Sequence, residues 1–171
     1  LIQTDGKTPH RVMIVEDEAI VQVHLSREVE SLGYEVVGVA ASAREAVALA
    51  NREQPDLILM DIKLRGEADG IEAAIQIGQT CDASVVFLTA YADENTVKRT
   101  EKVGALGYIV KPYSRNEVRA VLATAVSVRR HLREAVQKGP PAPRSRASSA
   151  GGPFHGMIGQ DARMQAVNRY N

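Results

Sequence analysis

Short runs of aliphatic and β-branched residues alternate along the chain with longer stretches whose apolar residues recur every three or four positions. The short runs predict strands, and because they are almost continuously hydrophobic they are typical of parallel strands buried on both faces. The predicted strands are Arg11–Val15, Glu35–Ala40, Asp56–Met60, Ser84–Ala90 and Ala105–Val110.

The longer stretches predict helices. Gly33 and Gly104 follow the first and the fourth, as is common where a helix ends. Five strands that alternate with five helices indicate an α/β fold, and right-handed crossovers would give a doubly wound, flavodoxin-like parallel sheet of order 2-1-3-4-5. The predicted helices are Ala19–Leu32, Ala43–Glu53, Gly70–Thr80, Glu94–Val103 and Arg115–Val136.

The pattern divides the chain into one domain and three smaller segments. Residues 1–10 form a polar N-terminal tail, and residues 11–136 form the domain. Residues 137–153 are rich in Pro, Gly, Ser and Ala, which predicts a flexible linker. Residues 154–171 regain apolar side chains but are too few to fold alone. We therefore expect them to be the remnant of a downstream domain, and the chain to be a piece of a longer protein.

Composition narrows the class of protein. No apolar run approaches the length that spans a bilayer, so no membrane association is expected. Cys81 is the single cysteine, which excludes an intrachain disulfide and favours a cytoplasmic location. Residues 1–114 hold 18 acidic against 11 basic residues, whereas residues 115–146 hold 8 basic against 2 acidic. The basic run at residues 129–134 lacks interleaved aromatic residues, so direct nucleic-acid binding is not predicted.

Polar residues stand where four of the predicted strands end, namely Glu16-Asp17, Asp61, Thr89 and Lys111. In a sheet of this order the carboxyl ends of the strands meet at one edge, and the first and third strands are neighbours. We therefore expect Asp17 and Asp61 to lie within a few ångströms of each other. Carboxylates that are so close recruit a cation, and hard oxygen ligands suit Mg²⁺.

The same residues suit phosphoryl transfer. An aspartate can carry a phosphoryl group as a mixed anhydride, so Asp61 is the predicted nucleophile. Such a transfer needs mainly alignment and charge compensation, which the Lys111 ammonium, the Thr89 hydroxyl and a metal ion could supply.

Five motifs, "VMIVEDE", "LILMDIKL", "DGIEAA", "VVFLTAY" and "GYIVKPY", make the chain resemble the CheY-like receiver domain of two-component response regulators over Arg11–Val136. The resemblance implies that Asp61 accepts a phosphoryl group from a histidine kinase or phosphotransfer protein. It also implies that Mg²⁺ is held by Glu16, Asp17, Asp61 and the main-chain carbonyl of Lys63.

The resemblance further implies that Thr89 and Lys111 complete the site and that Tyr108 is the aromatic switch residue. Such a domain is not an enzyme beyond its own phosphoryl transfer and dephosphorylation. One departure stands out: the loop "DIKLRGEADG" lacks the family's usual Met-Pro pair and is one residue longer. We expect a changed loop shape beside the pocket.

Two features bear on the output. The segment "FHGMIGQDARMQAV" resembles the start of the AAA+ domain of enhancer-binding transcription activators, although Asp161-Ala162 stand where that family has Ser-Pro, and a random amphipathic remnant is the alternative. No G-x-x-x-x-G-K-[ST] motif occurs. We expect transcriptional regulation, with DNA reached only indirectly through an output domain that this chain lacks.

Apolar residues on the last predicted helix recur at three- and four-residue steps, which indicates that this helix extends beyond the domain. A homodimer through this extension and through the face of the fourth helix, fifth strand and fifth helix is therefore expected. The recurring residues are Val118, Leu122, Ala125, Val128 and Leu132.

Simpler interpretations remain for several of these residues. Glu16 and Asp17 could merely cap the following helix. Lys111 could be solvated in a turn with Pro112, and Tyr108 could be ordinary packing. For the whole chain, the alternatives are a hydrolase that forms a transient aspartyl phosphate and a receiver-shaped module that never takes phosphate. Hydrolases of that kind usually have a second aspartate where this chain has Lys63.

Overall fold

A computed structural model describes residues 8–90, 94–101 and 103–138 of the chain. Within these residues, five strands form one parallel sheet of order β2-β1-β3-β4-β5, and five helices alternate with them. This confirms the predicted doubly wound fold. The elements are β1 Arg11–Val15, α1 Ala19–Ser31, β2 Glu35–Ala40, α2 Ala43–Glu53, β3 Leu57–Asp61, α3 Gly70–Ile77, β4 Ser84–Thr89, α4 Glu94–Glu101, β5 Gly107–Val110 and α5 Arg115–Lys138.

The sheet is buried on both faces, which explains its almost continuously hydrophobic strands. Alternate strand residues point to opposite faces. Met13, Met60 and Phe87 belong to a core that includes α2 and α3, whereas Leu59 and Leu88 belong to the core that includes α1 and α5. Helices therefore cover both faces of the sheet. Polar residues lie at the edge where the strands have their carboxyl ends.

The bounds of the elements agree with the predicted ones to within a few residues. The difference that matters is at β3, which ends at Asp61 and not at Met60. The main chain of Asp61 pairs with Leu88 of β4, so the carboxylate stands on a residue of the sheet itself. The helix α3 ends at Ile77, and a turn follows at residues 78–80 in place of its last predicted residues.

The predicted remnant 154–171 and nearly all of the predicted linker 137–153 lie outside the described residues, as do residues 1–7 of the predicted tail. Within the described part of the chain, no helix combines the length and the hydrophobicity that a membrane crossing requires. The helix α5 reaches Lys138, two residues beyond its predicted end.

Candidate functional site

Main-chain pairing brings the polar ends of the strands to one edge of the sheet. Glu16 follows β1, and its N–H donates to the carbonyl of Ala40 at 3.0 Å. Lys111 follows β5, and its N–H donates to the carbonyl of Thr89 at 2.8 Å. Asp61 is the last residue of β3, between β1 and β4. The backbone of the sheet therefore fixes where each of these side chains begins.

Lys111 joins two buried carboxylates. Its Nζ lies 2.7 Å from Oε2 of Glu16 and 2.6 Å from Oδ2 of Asp61. The side chain of Glu16 is fully buried, that of Asp61 is 7% exposed, and that of Lys111 is 23% exposed. The interpretation of Lys111 as a solvated turn residue is therefore wrong. Glu16 is also more than a helix cap: one of its oxygens accepts from the N–H of Glu18 at 3.1 Å, just before α1, whereas the other accepts from Lys111.

The two oxygens of Asp61 have different partners, which fixes the orientation of its carboxylate. Oδ2 accepts from Lys111, and Oδ1 accepts from the main-chain N–H of Lys63 at 2.9 Å. Gly70, the first residue of α3, packs against the main chain of Asp61. A Cβ at Gly70 would lie 2.0 Å from the carbonyl oxygen of Asp61. Only glycine fits at this position, which explains the glycine of the "DGIEAA" motif.

Burial and ion pairing shift the pKa values of Glu16 and Lys111 in opposite directions. Burial raises the pKa of Glu16, because the charged carboxylate loses water, and the hydrogen bond from Lys111 only partly offsets this. Burial alone would lower the pKa of Lys111, but its hydrogen bonds to Asp61 and Glu16 outweigh that effect and raise the pKa. Lys111 is therefore a cation at neutral pH, held between two acceptors.

Asp17 has a partner that the sequence did not suggest. Nε of Arg65 lies 2.8 Å from Oδ2 of Asp17, and Arg65 comes from the loop that follows Asp61. Among the described residues, carboxylate oxygens of Glu16, Asp17 and Glu18 lie within 4.8 Å of one another. Asp61 is not in that set. Asp61 shares Lys111 with Glu16 and is linked to the acidic group through these two residues, and the close approach of Asp17 to Asp61 stays a prediction.

This donor set fits a hard divalent cation. The three acidic side chains offer only oxygen atoms, and one of them, Glu16, is a buried carboxylate whose charge is costly without nearby cations. Glu18 is a further candidate ligand beyond those predicted. The sequence could have indicated Glu18, because it is the third of three consecutive acidic residues and directly precedes α1.

Thr89 and Tyr108 lie on the adjoining strands β4 and β5. Thr89 is buried at the end of β4, 5% exposed. Tyr108 is half-buried, its ring stacks on Phe87 with a centroid separation of 6.3 Å, and its hydroxyl contacts the hydroxyl of Thr100 on α4. Tyr108 is thus both a packing residue and a polar link between β5 and α4. Nothing in the sequence pattern marked Thr100, since Thr is ordinary on a helix face.

An apolar surface lies beside this site. On α1, Ile20 is 84% exposed and Val23 is 53% exposed. Ile20 also lines a depression with Lys111 and Tyr113, so the apolar surface adjoins the lysine of the site. We call Ile20, Val23 and Tyr113 the α1 patch. Its exposed aliphatic side chains are of the kind that proteins cover with a partner.

Comparisons with known proteins show the family to which these residues belong. Residues 12–123 match the family model described as the response regulator receiver domain. The chain is 41% identical over 123 residues to the transcriptional regulatory protein PdtaR of Mycobacterium tuberculosis, which covers 72% of this chain and 60% of that protein. The chain therefore spans less than two thirds of the length of this relative.

Solved structures share the fold. The signal receiver domain of a modulated diguanylate cyclase from Desulfovibrio desulfuricans is 33% identical, with a TM-score of 0.68, over 73% of this chain and 99% of that one. The receiver domain of a sensor histidine kinase from Pseudomonas aeruginosa, with a magnesium ion coordinated in its active-site cleft, is 28% identical, with a TM-score of 0.63, over 70% of this chain and 99% of that one.

Proposed function

The chain belongs to the family of response regulator receiver domains, and from this premise we propose that Asp61 accepts a phosphoryl group from a histidine kinase or a phosphotransfer protein. One observation carries the proposal: the buried carboxylate of Asp61 is oriented by Lys111 on one oxygen and by the N–H of Lys63 on the other. A carboxylate held in a fixed orientation is prepared for in-line attack on phosphorus.

The chemical step needs no further protein nucleophile. An oxygen of Asp61 forms a bond to phosphorus while the bond from phosphorus to the donor nitrogen breaks. The product carries nearly two negative charges where the carboxylate carried one, next to Glu16, which is already buried. The ammonium of Lys111 offsets part of this charge, and the hydroxyl of Thr89 is the proposed donor to a phosphoryl oxygen.

We propose that Mg²⁺ is the cofactor and that Glu16, Asp17, Asp61 and the main-chain carbonyl of Lys63 are its ligands. The oxygen-only donor set supports this assignment, as does the magnesium ion in the related Pseudomonas aeruginosa domain. When bound, the ion supplies the positive charge that the acidic group and a phosphoryl group together require.

The proposed switch runs from Thr89 to Tyr108. A phosphoryl group on Asp61 would draw the Thr89 hydroxyl towards it and make room for Tyr108 to change rotamer. The contact between the hydroxyls of Tyr108 and Thr100 couples such a change to α4. Phosphorylation would then shift the population between two arrangements of the face formed by α4, β5 and α5.

Incubation with Mg²⁺ and acetyl phosphate, followed by intact mass spectrometry, tests this function against its alternatives. We expect one phosphoryl group per chain, with acetate as the leaving group, and decay of the adduct in the absence of donor. Continuous turnover of phosphate monoesters would indicate a hydrolase instead. A chain that takes up no phosphoryl group would be a receiver-shaped interaction module.

The α1 patch is the proposed docking surface for the phosphodonor protein, because Ile20 and Val23 are exposed and apolar and Ile20 lines a depression with Lys111. We expect Ile20→Glu to slow phosphoryl transfer from a histidine kinase by about tenfold, since a charge would replace a buried contact of the complex. Labelling by acetyl phosphate should keep its rate. A histidine kinase that phosphorylates the unmutated chain is selected first. The measurement is then the initial rate at which radioactive phosphate passes from this kinase to each variant.

The matched control for this variant is Ile75→Glu, which places the same charge at a 46% exposed isoleucine on α3. It should transfer at the rate of the unmutated chain. Equal slowing in both variants, or slower labelling by acetyl phosphate in Ile20→Glu, would contradict the assignment of the docking surface.

We propose that the output is transcriptional, as the name of the PdtaR relative suggests, and that DNA is reached only through a further domain. Within this proposal the chain forms a homodimer through the face of α4, β5 and α5 and through the end of α5. Supporting this, exposed apolar residues follow one stripe of α5 at four-residue steps. They are Val128, Leu132 and Val136.

We expect Leu132→Glu to raise the dissociation constant of the phosphorylated dimer by about tenfold or more, because a charge would enter an apolar seam. Sedimentation velocity over a concentration series measures this. Ala123→Glu, at an exposed position of the same helix, is the control and should leave the constant unchanged. A chain that stays monomeric when phosphorylated would remove the dimer from the proposal.

A further inference from the structure

The loop after Asp61 places an arginine against one of the proposed metal ligands. Nε of Arg65 is 2.8 Å from Oδ2 of Asp17, and the Asp17 side chain is only 13% exposed whereas that of Arg65 is 79% exposed. The guanidinium therefore approaches the carboxylate from the solvent side. Gly66, which follows, has a φ of +123°, a conformation that favours glycine and that turns the backbone next to Arg65.

We propose that Arg65 competes with the divalent cation for the carboxylate of Asp17. The inference rests on the proposed function, in which Asp17 is a ligand of Mg²⁺. A guanidinium that donates to a carboxylate occupies an acceptor oxygen and cancels its charge. A divalent ion at the same carboxylate lies within a few ångströms of that positive charge, so it must either displace the arginine or bind against its repulsion.

The two cations next to this acidic group differ in how firmly they are held. Lys111 is mostly buried and bonded to two carboxylates, so it stays in place. Arg65 is largely exposed, and exposed ion pairs contribute little free energy, so its release costs little. Arg65 should therefore weaken metal binding without preventing it. Occupancy of the metal site would also decide whether the loop is tied to Asp17.

Metal binding can be measured without phosphorylation by titrating the chain with Mn²⁺ and following the electron paramagnetic resonance signal of the free ion. We expect Arg65→Gln to bind Mn²⁺ about three- to fivefold more tightly than the unmutated chain at low ionic strength. The difference should shrink as KCl is added, because salt screens exposed charges. Arg65→Lys keeps the charge and should stay within about twofold of the unmutated chain.

Arg44→Gln is the matched control, because Arg44 is also exposed and lines the same surface depression as Arg65. Its affinity for Mn²⁺ should be unchanged. An unchanged or weaker affinity for Mn²⁺ in Arg65→Gln would overturn the inference. An equal gain in Arg44→Gln would also overturn it, because the gain would then come from the loss of any nearby positive charge and not from the contact with Asp17. If the unmutated chain binds no Mn²⁺, the proposed metal site fails as well, which is a separate and recognisable result.

Discussion

Asp61→Asn is expected to abolish uptake of a phosphoryl group from acetyl phosphate in the presence of Mg²⁺. The amide retains the size of the side chain, and its oxygen can still accept a hydrogen bond from the N–H of Lys63 or from Lys111. It cannot form the mixed anhydride, because the carboxylate oxygen that attacks phosphorus is replaced by an amide nitrogen. Intact mass spectrometry of equal samples of the two chains should give an adduct only for the unmutated one.

Asp82→Asn is the control for this variant. Asp82 is 85% exposed, and its ion pairs with Arg129 and Arg133 belong to another part of the surface. The Asp82 variant should be labelled at the normal rate. Persistent labelling of Asp61→Asn would mean that another side chain receives the phosphoryl group, and the proposed role of Asp61 would be wrong.

Lys111→Met is expected to lower the free energy of unfolding by about 2 to 4 kcal/mol in the absence of divalent ions. Lys111 is the cation that lies between the fully buried Glu16 and the nearly buried Asp61. Removing it leaves two largely buried carboxylates without their shared counter-ion, which is the costly result of breaking a buried ion pair. Urea denaturation in the presence of a chelator measures the loss.

The double variant Glu16→Gln/Lys111→Met separates charge from packing. If unpaired charge causes the loss, neutralising Glu16 should restore at least about 1 kcal/mol of it. Lys63→Met removes a lysine whose side chain is exposed, and it should change stability by less than about 0.5 kcal/mol. A Lys111→Met chain as stable as the Lys63 variant would contradict the central position given to Lys111.

The fold was predictable because buried strands have a hydrophobic pattern that can be recognised in the sequence. Parallel strands covered on both faces must be hydrophobic throughout, and Gly33 and Gly104, with φ of +92° and +67°, mark the ends of two helices. Element ends were less predictable. Asp61 was expected just after its strand because it is charged, yet its main chain pairs with Leu88 while its side chain is held by Lys111.

The site was predictable only as far as strand order determines it. The order 2-1-3-4-5 brings Glu16, Asp61 and Lys111 to one edge, and the structure has them in direct contact. Contacts made by loops were not predictable. Arg65 reaches Asp17 across 48 residues through a loop whose path depends on Gly66, and no periodicity encodes such a path.

The contact of Thr100 with Tyr108 shows the same limit at closer range. These two residues are eight apart, and their hydroxyls meet because of how α4 lies relative to β5. Helix placement of this kind follows from packing of many side chains, so residue types alone do not reveal it. The aromatic residue was found through the motif in which it stands, whereas its threonine partner has no motif.

The role of Asp61 as phosphoacceptor is tested most directly by locating the phosphoryl group on the chain. The chain is treated with Mg²⁺ and acetyl phosphate, the acyl phosphate is reduced with borohydride, and the peptides are sequenced by mass spectrometry. We expect the reduced residue to be Asp61 and no other carboxylate to be converted. Conversion of Asp17, Glu16 or Glu18 in its place, or a phosphoryl group found on a histidine or serine, would contradict this role.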